Sequence, residues 1–178
     1  MFVVNRQITV EELLRDREEA LGLENLTLDA DLSRPITHPD PASPGLALAG
    51  FTERVVGGRV QVFGETEMAY LESLDSALAA ERLLQLFDHD VPVVFVTKEL
   101  KVTDHFLTLA QERRIPVFRT SMGTGLFYQQ LNPYLEVALA PSVSLHGSLA
   151  DVYGVGLLFV GESGIGKSEC VLDLVERG

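Results

Sequence analysis

The residues best suited to chemistry lie near the end of the sequence, in G-E-S-G-I-G-K-S, Gly161 to Ser168. The stretch fits G-x-x-x-x-G-K-[ST], the spacing of a phosphate-binding loop. Gly161, Gly164 and Gly166 are expected to let the backbone take positive φ angles. The amides of the loop, those of Glu162, Ser163 and Ile165 among them, can then point inward at phosphate oxygens. A helix opening near Lys167 adds the positive end of its dipole. The Lys167 ammonium would rest on the β and γ phosphates. The Ser168 hydroxyl would reach a Mg²⁺ ion bridging those phosphates. The pattern fixes four positions, so a chain of this size matches it by chance about once in a hundred. An apolar strand before the loop and an amphipathic helix after it supply the context the motif requires.

Other reactive residues around the loop read more ambiguously. Glu169 stands in the first helical turn, where the dipole favours an acid whether or not it is functional. Glu162 is expected to face solvent. Cys170, the single cysteine, falls with Val171, Leu174 and Val175 on one helix face and is expected in a core. The histidines His38, His89, His105 and His146 are scattered, and no pair has the spacing of a zinc site. His146 lies on the strand before the loop-bearing strand. Strand pairing could bring its imidazole to the phosphates, for proton transfer or anion binding; spacing alone equally allows an ordinary strand histidine.

These residues need a scaffold. The 178 residues, 46% apolar and 22% charged, can bury a core and imply one domain, or one and part of another. The net charge of -12 argues against a nucleic-acid or membrane-surface binder. A lone cysteine excludes an internal disulfide and fits a reducing compartment. The N-terminus lacks the pattern of a signal peptide, and no apolar run is long enough to span a bilayer, so a cytoplasmic protein is expected.

Thr9 with Glu12 reads as a capping box opening a helix. Asp31 to Gly45 is rich in proline and reads as a surface loop. Val60 to Gly64 reads as a strand, Glu65 to Leu86 as one helix, and Val91 to Val96 as a buried strand. Thr103 to Arg114 reads as an amphipathic helix and Ile115 to Thr120 as a strand. Strand, helix, strand at this spacing implies a partly parallel sheet in an α/β fold. Met122 to Leu139 reads as a helix broken near Asn132-Pro133. A boundary is expected at Ala140 to Ser142. Beyond it, Val143 to Val152 and Val155 to Val160 read as strands joined at Tyr153-Gly154, and Lys167 to Arg177 as a helix. Two strands and a helix cannot bury their own faces.

The segment L-H-G-S-L-A-D-V-Y-G-V-G-L-L-F-V-G-E-S-G-I-G-K-S-E-C-V-L-D-L-V-E-R-G resembles HPr kinase/phosphorylase. Upstream, D-L-S-R-P, L-A-L-A-G-F, F-G-E-T-E-M-A-Y-L, V-P-V-V-F-V-T, I-P-V-F-R-T-S and N-P-Y-L-E resemble landmarks of that family's N-terminal domain. The resemblance implies an N-terminal Mur-ligase-like α/β domain over residues 1–134. Residues 135–178 would then be a linker and the truncated start of a P-loop kinase domain. It implies a bifunctional enzyme that phosphorylates a serine of the phosphocarrier HPr with ATP or pyrophosphate and Mg²⁺. The same enzyme would remove that phosphate by phosphorolysis, in carbon catabolite control. A homo-hexamer is implied, with no nucleic-acid or membrane partner. By position, Gly161 to Ser168 would bind the phosphoryl donor and Ser168 the metal, while Lys167 and His146 would act in catalysis.

The family's acid/base aspartate, its downstream metal-binding glutamate and its HPr-contacting arginine region fall beyond Gly178. The chain alone is therefore expected to be inactive. The alternative reading is a catalytically incomplete regulatory or interaction module. The segment Ile36 to Gly45 resembles an insertion with no role implied.

Overall fold

Thr9 begins the fold with the expected reciprocal cap. Its Oγ1 accepts a hydrogen bond from the Glu12 amide at 3.1 Å, and Glu12 Oε2 accepts one from the Thr9 amide at 2.8 Å. This opens helix α1, Val10–Leu21, which Gly22 ends in the left-handed conformation at φ 58°. The computed structural model describes residues 3–4, 6–143 and 146–176. It divides into two compact units, one of Asn5–Ala140 and one of Met1–Val4 with Pro141–Gly178.

The larger unit is an α/β fold around a four-stranded sheet. The strands are β3 (Leu23–Asn25), β5 (Gln61–Phe63), β6 (Val94–Val96) and β7 (Val117–Thr120), in the order β3-β7-β6-β5. Strands β5, β6 and β7 run parallel, and β3 runs antiparallel to β7. Helices α3 (Glu65–Ser73) and α4 (Ser76–Phe87) connect β5 to β6, and α5 (Asp104–Glu112) connects β6 to β7. Parallel strands require such crossovers, as the spacing implied. Alternation along the strands then divides the core. Phe63, Val94, Val96 and Val117 face one layer with α3, α4 and α5. Val62, Phe95 and Phe118 face the other, with α1 and α6, Thr124–Ala138. Phe106 meets Phe63 and Phe87 edge-on at 5.4 and 5.7 Å in the first layer. Phe95 lies 5.1 Å from Phe127 in the second.

Two helices depart from the periodicity reading. The expected single helix over Glu65 to Leu86 is interrupted at Leu74-Asp75. Leu74 is extended, and Asp75 Oδ1 accepts from the Leu78 amide at 2.9 Å. A carboxylate that caps a new helix competes with continuing the old one. Helix α6, in contrast, continues through Pro133 instead of breaking there. Proline inside a helix costs about 3 kcal/mol. Phe127, Leu131 and Leu135 are fully buried along the same helix, and at about 1.5–3 kcal/mol each they outweigh that loss.

The proline-rich segment has a structural role. Pro35–Ile36 forms β4, paired antiparallel with β2, Ile8–Thr9. Farther on, the Ala42 amide donates to Val60 O and the Val62 amide to Ala42 O, both at 2.8 Å. Ala42 thereby covers the free edge of β5, which would otherwise present unpaired backbone groups. The short helix α2, Gly45–Leu48, follows.

In the smaller unit β1 (Val3–Val4) pairs with β8 (Ser142–Val143). Strands β9 (Gly147–Val152) and β10 (Val155–Val160) form an antiparallel hairpin. Tyr153 and Gly154 turn it with φ 53° and 78°, the two positive angles of the tight turn that matches strand twist. The expected strand began at Val143, but its Ser144 and Leu145 lie outside the described residues, as does Arg177 of the expected helix. Helix α7, Lys167–Glu176, has no buried residue. Cys170 is exposed, contrary to the core position its helix face suggested. A two-stranded hairpin is too narrow to cover that face, so helical periodicity here marks a side that nothing described buries. Among all described residues, no helix is long and apolar enough to cross a membrane.

Candidate functional site

Strand β10 delivers the chain into the loop at Gly161, and α7 receives it at Lys167. Gly164 and Gly166 take φ of 83° and 91°, angles that turn neighbouring amides to one side. Gly161 does not share this conformation. A Cβ there would stand 3.3 Å from Ile165 Cγ2 and 3.8 Å from Lys167 Cδ. The Cys170 amide donates to Gly166 O at 3.0 Å, the first turn of α7. The free amides of that turn therefore face the loop's concave side.

Lys167 bends back over the loop. Its Nζ donates to Gly161 O at 2.9 Å and Glu162 O at 2.6 Å. An ammonium held by two carbonyls at the loop mouth can exchange them for phosphate oxygens, which are stronger acceptors. Ser168 Oγ stands 3.4 Å from Ser148 Oγ on β9. An open cleft of about 850 Å³ is lined by Gly161, Glu162, Ser163, Gly164, Gly166, Lys167, Ser168 and Glu169, together with His146 and Gly147. Ile165 is outside it, with its side chain 69% exposed. His146 is exposed and sits immediately before β9 rather than within a strand.

The hairpin register is what brings His146 to the loop. Gly147 pairs with Val160, the last strand residue before Gly161. The residue before Gly147 is thus set beside the residue after Val160. Gly147 must be glycine for this approach, since a Cβ would lie 2.8 Å from Phe159 O. The sequence reading missed Ser148 and the requirement at Gly147. The only signal for either was its place beside His146. Among the described residues, no group of three or more His, Cys, Asp or Glu side chains could hold a metal ion. A metal here would rest on Ser168 and on the oxygens of a bound phosphate, an arrangement that suits Mg²⁺.

The family model described as HPr Serine kinase N terminus matches residues 8–135, and that of the HPr Serine kinase C-terminal domain matches residues 137–178. The chain belongs to the HPr kinase family. Relatives of the chain include the HPr kinase/phosphorylase of Bacillus cereus (strain B4264), 38% identical over 164 residues. That alignment covers 92% of this chain and 53% of the relative. The HPr kinase/phosphorylase of Lachnoclostridium phytofermentans is 39% identical over 161 residues, covering 90% and 52%. The chain thus spans about half the length of the curated relatives it matches. Among solved structures, the CBS and DRTGG domains of the regulatory region of Clostridium perfringens pyrophosphatase align with a TM-score of 0.51. That alignment has 15% identity and covers 72% of this chain and 50% of the other, a likeness of fold alone.

Proposed function

We propose that this chain is the N-terminal half of a bifunctional, Mg²⁺-dependent HPr kinase/phosphorylase. One cleft that joins His146 to a complete phosphate loop, in a chain of this family, carries the reading. ATP or pyrophosphate, bound with Mg²⁺, supplies the phosphoryl group. The amides of Gly161 to Ser168 hold its oxygens. Lys167 leaves the carbonyls of Gly161 and Glu162 to neutralise charge on the transferring phosphate. The Ser168 hydroxyl would hold Mg²⁺, which would offset charge on the phosphates. His146 holds or moves a proton at the cleft wall. In the forward reaction a seryl oxygen of HPr bonds to phosphorus, the bond to the leaving group breaks (ADP from ATP, phosphate from pyrophosphate), and the seryl proton passes to a base at the cleft. In the reverse reaction an oxygen of inorganic phosphate bonds to the phosphorus of phosphoserine, the bond from phosphorus to the seryl oxygen breaks, that oxygen takes up a proton, and pyrophosphate is the product. On this reading the whole protein is a cytoplasmic homo-hexamer that serves carbon catabolite control.

Isothermal titration calorimetry with pyrophosphate tests the donor site. Saturable binding that requires Mg²⁺ is expected. Lys167→Ala should weaken it about tenfold or more, the loss of a charge-assisted bond. Absence of binding in Mg²⁺, or indifference to Lys167→Ala, would overturn the reading.

A further inference from the structure

A second cavity lies in the larger unit and shares no lining residue with the cleft at the phosphate loop. It is an open hollow of about 180 Å³ lined by the proline-rich segment, α2 and the turn leading to β5. Leu46, Phe51 and Val55 line it together with Arg54, Arg59 and Gln61. The frame is firmly built. Ala42 is bonded into the sheet edge on both sides. Gln61 is 3% exposed, and its Nε2 donates to Arg59 O at 3.1 Å.

The arginines are the informative part. Arg59 Nε is buried and meets no hydrogen-bond partner, a state that costs free energy until an acceptor arrives. Its Nη2 comes only to 3.9 Å from the exposed carboxylate of Asp40. Arg54 is exposed, and no ion pair to it is found among the described residues. Arg54 and Arg59 thus stand beside an apolar hollow, with the Asp40 carboxylate at the outer guanidinium nitrogen of Arg59. A guanidinium offers a carboxylate a matching planar fork. The volume limits the rest of the ligand, since a cavity of about 150 Å³ accepts benzene.

We propose that this pocket binds a small monocarboxylate whose body is one aromatic ring or a branched aliphatic chain of similar size. The carboxylate accepts from Arg59, with Arg54 closing over it, and the apolar body fills the space beside Leu46, Phe51 and Val55.

The test is an NMR titration of the ¹⁵N-labelled 178-residue chain with benzoate, and in parallel with benzyl alcohol, its neutral counterpart. Saturable millimolar shifts confined to amides of residues 42–61 are expected, with benzyl alcohol clearly weaker. Arg59→Gln should weaken benzoate binding about tenfold. Arg54→Gln, at an exposed position that leaves the fold intact, should weaken it less. Linear shifts spread over the whole chain would overturn the proposal. So would equal binding of benzyl alcohol, or saturable shifts at residues 161–168 instead. Should Arg59→Gln fail to fold, Arg54→Gln and the neutral counterpart still decide the matter.

Discussion

At the scale of single residues, two positions have consequences beyond their neighbours. Tyr134 donates to Asp16 Oδ2 at 3.0 Å, and the Arg17 guanidinium lies 4.8 Å over its ring. Burial first, and then the bond to the Asp16 carboxylate, push the phenol up to about 12. A phenol raised on folding contributes stability that is complete below its ordinary pKa of about 10 and is lost as pH climbs through the raised value. Spectrophotometric titration of tyrosinate should find Tyr134 among the last to ionise, and Tyr134→Phe should delete that late step. Gly147 is the second such position. Gly147→Ala places a methyl 2.8 Å from Phe159 O, and the forced shift should destabilise the hairpin by about 1–3 kcal/mol. Hydrogen exchange should show faster opening of β9 and β10 with unchanged protection in β6 and β7. Equal effects on both would refute the local account.

At the scale of elements, hydrophobic period located helices correctly but not where they end. Residues 65–86 carry a helical spacing throughout, yet Asp75 divides them by offering the Leu78 amide a better partner. Asp75→Ala should therefore cost about 1 kcal/mol of stability in urea melts. An effect near zero would mean that packing of Leu83, Leu86 and Phe87 alone sets the start of α4. The opposite case is Pro133, whose local preference is overridden by the buried face of α6. Both outcomes follow from comparing about 1–3 kcal/mol of local backbone preference with the burial of several large side chains.

At the scale of the whole molecule, the two units differ in how they hold together. Every buried apolar side chain of the described residues lies between Ile8 and Leu139, except Ala150. Leu149, Leu158, Val160, Leu172 and Val175 are all more than half exposed. A chain of residues 1–140 should consequently unfold in urea cooperatively, with a midpoint close to that of the 178-residue chain. A large drop would show that the smaller unit supports the larger one's core.

The sequence by itself determined what depends on a few consecutive residues. The phosphate loop, the capping box at Thr9 and the Tyr153-Gly154 turn are set by local sterics and short hydrogen bonds, so spacing suffices to recognise them. Only the tertiary structure decided what depends on residues far apart. The pairing of Gly147 with Val160 carries His146 to the cleft. The proline-rich segment became an edge cover and a pocket wall because Ala42 finds Val60 and Val62. Cys170 lies on an apolar face yet remains exposed. Periodicity reports which side of an element is apolar; what covers that side is settled by the packing of segments the local pattern does not connect.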